Sequence, residues 1–330
     1  MFTDAAVAAA LSPERLSLTV LPTEKCNFRC TYCYEDFAIG RMRAPTIRGL
    51  KALIGNRVPH LRHLTLSWFG GEPLLALPVV MDVGAHASSL SRQHGVTFNA
   101  GFTTNGYLLT YDLFCRLLEI DHNEFQITLD GDEEWHDQTR IQANRRGTFN
   151  VIWKNVLSYK RVEGHFAITL RLHVHRDNIE SVRRLYKRLH DEVLVDSRFR
   201  IYFHKISNLN PAERIGESVL GTKEYLDAID YITDRNSTRD MPGVPISEEH
   251  LQSYICYAAK PNSLIIRADG RLGKCTVALH DSRNDVGQLN EDGSLSIIDD
   301  KLRPWFEGFR DMSEQALGCP WSMLNTGGSS

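Results

Sequence analysis

Ser17-Leu18-Thr19-Val20-Leu21 is a β-rich run, and it leads into Lys25-Cys26-Asn27-Phe28-Arg29-Cys30-Thr31-Tyr32-Cys33-Tyr34. Three cysteines thus follow the end of a first strand, in C-x-x-x-C-x-x-C spacing. Three thiolates on one short loop can bind three irons of a [4Fe-4S] cube and leave the fourth open to a ligand that is not protein. An open iron means chemistry. A structural zinc site wants a fourth nearby Cys or His, and the loop has none. An odd count of seven cysteines, with closely spaced thiols, suits metal binding better than a disulfide framework.

Outward from the loop, β-rich runs at 17–21, 64–69, 98–104, 125–129, 166–175 and 199–205 alternate with helical patterns near 45–59, 75–93, 110–120, 148–161 and 178–192. Strict alternation implies a parallel sheet with helices outside. A right-handed curl of six strands gives an α/β fold, a partial (β/α)6 barrel of the TIM type, open along one side to a large substrate. Parallel strands buried on both faces read as apolar throughout, and several here do not. In the fifth, Leu170, Leu172 and Val174 oppose Thr169, Arg171, His173 and His175. In the sixth, Phe199, Ile201 and Phe203 oppose Arg200, Tyr202 and His204, and the fourth repeats the pattern with Gln126, Thr128 and Asp130. With the apolar faces against helices, the polar faces line the lumen at the strand ends, where such barrels do their chemistry. An edge strand with one solvated face produces the same alternation, most readily for the sixth.

Further stretches follow in order: Trp68-Phe69-Gly70-Gly71-Glu72-Pro73, Thr104-Asn105-Gly106, Thr128-Leu129-Asp130-Gly131, and His136-Asp137 with Arg140. Together with the cysteine loop they resemble the G-G-E-P, T-N-G, S-x-D-G and H-D-x-x-R motifs of the radical S-adenosylmethionine (AdoMet) enzymes, over about Leu16 to Ser207. The resemblance implies a catalytic [4Fe-4S] cluster on Cys26, Cys30 and Cys33, with AdoMet chelating the open iron and electron transfer cleaving it to a 5'-deoxyadenosyl radical. It also implies cofactor contacts at Tyr32, Gly70, Gly71, Glu72, Asn105, Thr128 and Arg140, to which Arg171 is added from the lumen. Gly70 and Gly71 let the backbone approach the ligand, and Glu72 accepts hydrogen bonds from the methionyl ammonium. Thr128 and Arg140 hold its carboxylate. Tyr32 packs beside the adenine or the cluster, with ordinary packing as the rival role. Asp130 meets the ribose or orients its loop, and is grouped with His173, His175, Tyr202 and His204 as a catalytic candidate; the four are suited to taking protons, though each could instead only shape the pocket.

Beyond 207 the alternation stops, helical segments near 211–234 form a bridge, and 236–243 is a loop by composition. Cys256 and Cys275 flank a hairpin turning at Asp269-Gly270, and Cys319 lies further on. The hairpin resembles the auxiliary-cluster hairpin of twitch and SPASM extensions on radical peptide-modifying enzymes, with Val286-Gly287-Gln288-Leu289 as its following strand. That resemblance implies a second iron-sulfur cluster on Cys256, Cys275 and Cys319 with an unassigned fourth ligand. The dense run of cysteines of a full SPASM module is missing around Cys319-Pro320-Trp321-Ser322. Cys115, on an apolar helix, reads as a buried bystander, and the basic run 183–188 as a solvated face. The chain thus divides into an N-terminal extension 1–15, a barrel 16–207, and a smaller C-terminal α+β auxiliary-cluster module 208–330.

Hydrophobic residues at 42%, charged residues at 24% and a net charge of -3 describe an ordinary core with no field to steer nucleic acid. No basic signal-peptide start and no apolar run near ~18 residues points to a cytoplasmic protein off the membrane. The expected function is hydrogen abstraction from a ribosomally made precursor peptide and formation of an intramolecular crosslink by net two-electron oxidation. Epimerisation is the alternative, weakened because no cysteine lies between Cys115 and Cys256 to return a hydrogen. A sulfatase-maturing oxidation ranks below it, and an iron-sulfur electron-transfer adaptor without catalysis is opposed by the G-G-E-P and T-N-G motifs. Expected partners are the peptide and an electron donor such as flavodoxin or ferredoxin; since no leader-binding domain fits before Leu16, a leader is expected to be held either by a separate leader-binding protein or by the open barrel edge.

Overall fold

The computed structural model describes residues 2–207, 218–234 and 254–326. Helix α1 (Asp4–Leu11) precedes strand β1 (Arg15–Val20). Strands β2 (His63–Trp68), β3 (Thr97–Thr104), β4 (His122–Leu129), β5 (Ala167–Val174) and β6 (Phe199–Lys205) then follow, each parallel to the one before. Helices α2 (Ala44–Arg57), α3 (Leu77–His94), α4 (Tyr111–Leu118), α5 (Glu133–Thr139), α6 (Phe149–Tyr159) and α7 (Ile179–Glu192) form the crossovers, with α5 and α6 sharing one, and α8 (Thr222–Thr233) follows β6. This is the parallel arc that the alternation predicts. Leu170, Leu172 and Val174 are fully buried on the helix side. The opposite faces of the strands border two stacked cavities, the lower with Gln126, Thr169 and Arg200 in its lining and the upper with Thr128, Arg171, His173 and His204. β6 is the terminal strand of the sheet, yet His204 on its polar face still reaches the upper cavity.

The C-terminal strands are not a free-standing module. β7 (Ser263–Ile266) pairs parallel to β1, with Ser17 opposite Ser263 and Val20 opposite Ile266, and β8 (Arg271–Gly273), β9 (Gly287–Leu289) and β10 (Leu295–Ile297) continue antiparallel. One ten-stranded sheet results, in the order β10-β9-β8-β7-β1-β2-β3-β4-β5-β6. All four residues of β7 are buried, so the hairpin covers the edge that β1 would otherwise leave unpaired. Gly270, at φ +88°, makes the turn. Of the segments expected near 211–234, α8 is helical and packs on α7, while 208–217 and the loop 236–243 lie outside the described residues.

By length and composition Pro73–His94 is apolar enough to cross a membrane, contrary to the expectation of no such run, but half of its most apolar window is buried in the fold. Val80, Val83 and Ala87 from it belong to the core.

A neutral histidine is built into that core. His122 is fully buried, its Nε2 accepting from Trp68 Nε1–H at 2.8 Å, which leaves Nδ1 as the donor to the Ile120 carbonyl at 2.7 Å. Burial lowers its pKa from 6.5 to about 4. The unfolded chain therefore binds a proton that the folded ring refuses, so the ring's contribution to stability is full above its unfolded value and is lost as pH falls toward 4. Urea unfolding at pH 7.5 and 4.5 should show the parent losing about 2 kcal/mol more on acidification than His122→Gln.

Candidate active site

The cysteine loop leaves the C-terminal end of β1 and is held mainly by backbone bonds, with the Cys26 sulfur accepting from Phe28 N–H at 3.3 Å. Arg29 N–H donates to the Ile141 carbonyl at 2.8 Å, Thr31 N–H to Thr139 at 3.0 Å, and Ala143 N–H to Asn27 at 2.9 Å, so the segment after α5 is a clamp on the loop. Helix α5 is capped by Asp132, whose side chain accepts from Trp135 N–H, and carries His136 and Asp137. Phe28, 1% exposed, anchors the loop from below, edge-on to Tyr107.

On the other side Gly70 and Gly71 pack against the stem of the loop. Gly70 has φ +104°, and a Cβ there would stand 2.4 Å from the Thr23 carbonyl oxygen; one on Gly71 would stand 2.5 Å from that of Lys25. Only glycine allows this approach. Glu72, expected to accept from the methionyl ammonium, also has a structural role. It is fully buried, and its carboxylate accepts from Thr104 Oγ1 (2.9 Å), Asn105 N–H (2.8 Å) and Leu74 N–H (3.0 Å). The bonds to Thr104 and Asn105 tie G-G-E-P to T-N-G. Asn105 in turn donates to Asn27 Oδ1 at 2.8 Å, reaching the cysteine loop, while also bordering the cleft.

Cys26, Cys30, Cys33, Tyr32, Gly70, Gly71, Asn105, Thr128, Arg140, Arg171, His173 and His204 all line one cleft at the strand ends. Burial pushes the Cys26 and Cys33 thiols up to about 12 and raises Cys30 as well. Buried thiols of this kind are released as thiolates when metal cations take the place of their protons. Among the described residues no three ligand side chains stand close enough to share a single metal ion.

A polar network closes the cleft floor. Tyr32 OH donates to Asp130 Oδ2 and Arg140 Nη1 donates to Tyr32 OH, both at 2.6 Å, and Thr139 Oγ1 donates to the same Asp130 oxygen at 2.9 Å. Asp130 Oδ1 lies 3.2 Å from His173 Nδ1. The hydrogen bonds and the Arg140 charge overcome burial and hold the Asp130 carboxyl well below the usual carboxylate range. Asp130, 1% exposed, lies beneath the cleft rather than in it, so its catalytic assignment is revised to positioning Tyr32 and His173. His173 borders the cleft, and burial lowers its pKa to about 4, leaving a neutral ring.

Two other lumen residues are displaced from their expected places. β5 ends at Val174, so the alternation stops and His175 opens the next turn with its ring against Trp135, 5.4 Å away. Tyr202 does not border the cleft; its hydroxyl stands 3.4 Å from His204 Nδ1.

The second cysteine group is assembled by the hairpin. Cys256 N–H donates to the Leu317 carbonyl at 2.8 Å, and Tyr257 OH lies 2.8 Å from Thr276 Oγ1, so the segments bearing Cys256 and Cys275 are bonded side by side. Burial pushes the Cys275 thiol up to about 11, with Cys256 and Cys319 adding to the shift, which places the three within electrostatic reach. Next to them Lys274, 1% exposed, donates to the Lys260 carbonyl at 2.7 Å and the Ser263 carbonyl at 2.5 Å, with no carboxylate partner among the described residues. An ammonium buried without a carboxylate fits a site that becomes anionic when loaded. Cys115 is half-buried on α4.

Sequence reasoning missed the strut between the two cysteine groups. Arg267, at the end of the hairpin's first strand, makes a bidentate ion pair with Glu24 (2.9 and 2.6 Å), both nearly inaccessible, and also donates to the Leu279 carbonyl. Glu24 lies two residues before Cys26, and nothing in its local sequence marks a partner in the tail. Arg267→Met leaves the Glu24 carboxylate buried and unpaired, at an expected cost of about 3–5 kcal/mol; denaturant unfolding checks this, and adding Glu24→Gln should restore most of the loss. Glu35 was also missed. It follows the third cysteine closely, borders the cleft, and keeps Oε2 buried without a partner.

A profile of the Radical SAM superfamily matches residues 20–189, more than half of the 330-residue chain. The chain belongs to that superfamily. It is a radical SAM enzyme, with a [4Fe-4S] cluster and AdoMet as the cofactors of its class. It is 24% identical over 222 residues to the cysteine-type anaerobic sulfatase-maturating enzyme of Clostridium novyi (strain NT), a match covering 64% of this chain and 56% of that enzyme's length. The fold is similar to that of native anSMEcpe with bound AdoMet and Cp18Cys peptide (TM-score 0.65, 20% identity, 85% of this chain and 78% of the other). It is also similar to Streptococcus suis SuiB bound to precursor peptide SuiA (TM-score 0.59, 15% identity, 93% and 69%).

Proposed function

We propose that this enzyme modifies a ribosomally made peptide, forming an intramolecular crosslink by net two-electron oxidation. The observation that carries the reading is the second cysteine group, joined to the catalytic loop through the shared sheet and the Glu24–Arg267 pair. The peptide complexes of anSMEcpe and SuiB support a peptide as substrate. In this reading Cys26, Cys30 and Cys33 hold the catalytic cluster, Arg140 and Thr128 hold the methionyl carboxylate, and Gly70 and Gly71 admit AdoMet to the backbone. Bound there, these cofactors supply the radical that removes one hydrogen atom from the peptide. Cys256, Cys275 and Cys319 would hold a second iron-sulfur cluster, whose chemistry is one-electron acceptance. His173, neutral and steadied by Asp130, takes the proton lost as the new bond forms. His204 shapes the same wall.

A product lighter by two hydrogens than the peptide supplied is the expected result. Unchanged mass with solvent deuterium at one alpha carbon would establish epimerisation instead. A second reading, maturation of a sulfatase, is favoured by the likeness to the Clostridium novyi enzyme; a side-chain oxidation that ends in a carbonyl gives a product that a hydrazide reagent captures, whereas a crosslink does not react.

A further inference from the structure

Arg171 is a guanidinium in the cleft without a counterion among the described residues. It projects from β5 between its register partners Thr128 on β4 and Tyr202 on β6. Its Nε is sealed from solvent with no hydrogen-bond partner, and the ionisable groups acting on it most strongly are Tyr202, Tyr32, Tyr34 and Arg140, none of them a carboxylate. A buried polar group left unpaired costs free energy that a bound partner returns, and a planar fork of donors matches a carboxylate. Arg140 differs: it has the Tyr32 hydroxyl at 2.6 Å and the Asp130 carboxylate in its field. AdoMet brings one carboxylate, and Arg140 with Thr128 is the pair that the superfamily motifs give it. One cationic fork is left over.

We infer that Arg171, on the cleft wall it shares with Thr128 and His204, is a subsite for a carboxylate of the substrate. Calling it a peptide carboxylate, from an Asp or Glu side chain or from the chain terminus, rests on the peptide-maturase reading. The carboxylate chemistry does not depend on which bond the enzyme makes. His204 and His173 are held neutral by burial, so Arg171 and Arg140 are the positive charges on this wall. The subsite would place a residue bearing, or adjoining, a carboxylate against the strand ends and so select the position that reacts.

Saturation-transfer NMR on the reconstituted, unreduced holoenzyme with saturating AdoMet tests this without any turnover. The probes are N-acetylglutamate N-methylamide for a side-chain carboxylate, N-acetylglycylalanine for a terminal one, and N-acetylglutamine N-methylamide as the uncharged match. At least one carboxylate probe should bind tenfold or more tighter than the glutamine probe, and the stronger of the two identifies the source. Arg171→Gln should weaken that probe at least tenfold, and Arg171→Lys less. Equal binding of all three probes, displacement of the carboxylate probe by AdoMet, or parent-like binding by a folded Arg171→Gln would each overturn the inference. If carboxylate binding holds while no peptide loses hydrogens, the maturase reading fails and the subsite stands.

Discussion

Replacing Cys26, Cys30 and Cys33 together by alanine is expected to bring 5'-deoxyadenosine formation to background while the fold persists. The three thiols border the cleft and none is fully buried. The loop keeps its shape through the backbone bonds of Arg29, Thr31 and Ala143 and through the buried Phe28 ring, and of these residues only Phe28 N–H reaches a sulfur, that of Cys26 at 3.3 Å. The loss should therefore be one of cofactor chemistry, with a stability change of no more than about 1–2 kcal/mol. Each single replacement should act almost as strongly, since three thiolates are the minimum that holds the cube with one iron open. A triple variant that cleaved AdoMet at the parent rate would refute the assignment.

Replacing Cys256, Cys275 and Cys319 by alanine should separate two functions that the parent joins. Cleavage of AdoMet should continue, because the catalytic loop and cleft are built from β1 to β6 and the segment after α5. Formation of the product lighter by two hydrogens should fall to background, since the substrate radical then lacks its electron acceptor. Liquid chromatography with mass detection reads both quantities in one sample. Loss of both together, in a variant whose first cluster is intact, would mean that the second group serves the catalytic site structurally.

Much of this architecture was legible in the sequence because the barrel strands advertise themselves twice. Leu170, Leu172 and Val174 mark the helix face of β5, while Arg171 and His173 on the other face point to a lumen that is used. What escaped had physical reasons. Helix α5, Glu133-Glu134-Trp135-His136-Asp137-Gln138-Thr139, has a single large apolar residue and so no stripe of period 3.6 to reveal it. The pairing of β7 with β1 joins segments from opposite ends of the chain, and a run such as Ser263-Leu264-Ile265-Ile266 does not say which edge it will cover. Glu72 reads as a ligand for an ammonium because its motif lies at the cleft; only its burial and three donors show that it also holds two loops together. His175 failed by one position, where the strand ended and the alternation with it.

The claim on which the account turns is that two cysteine groups hold two separate iron-sulfur clusters on one sheet. Iron and acid-labile sulfide, counted per chain in anaerobically reconstituted protein, test it most directly. In the Cys26/Cys30/Cys33 triple alanine variant the account predicts close to one residual cluster, removed when Cys256, Cys275 and Cys319 are replaced as well. Iron and sulfide absent from the first variant, or zinc in their place, would contradict it.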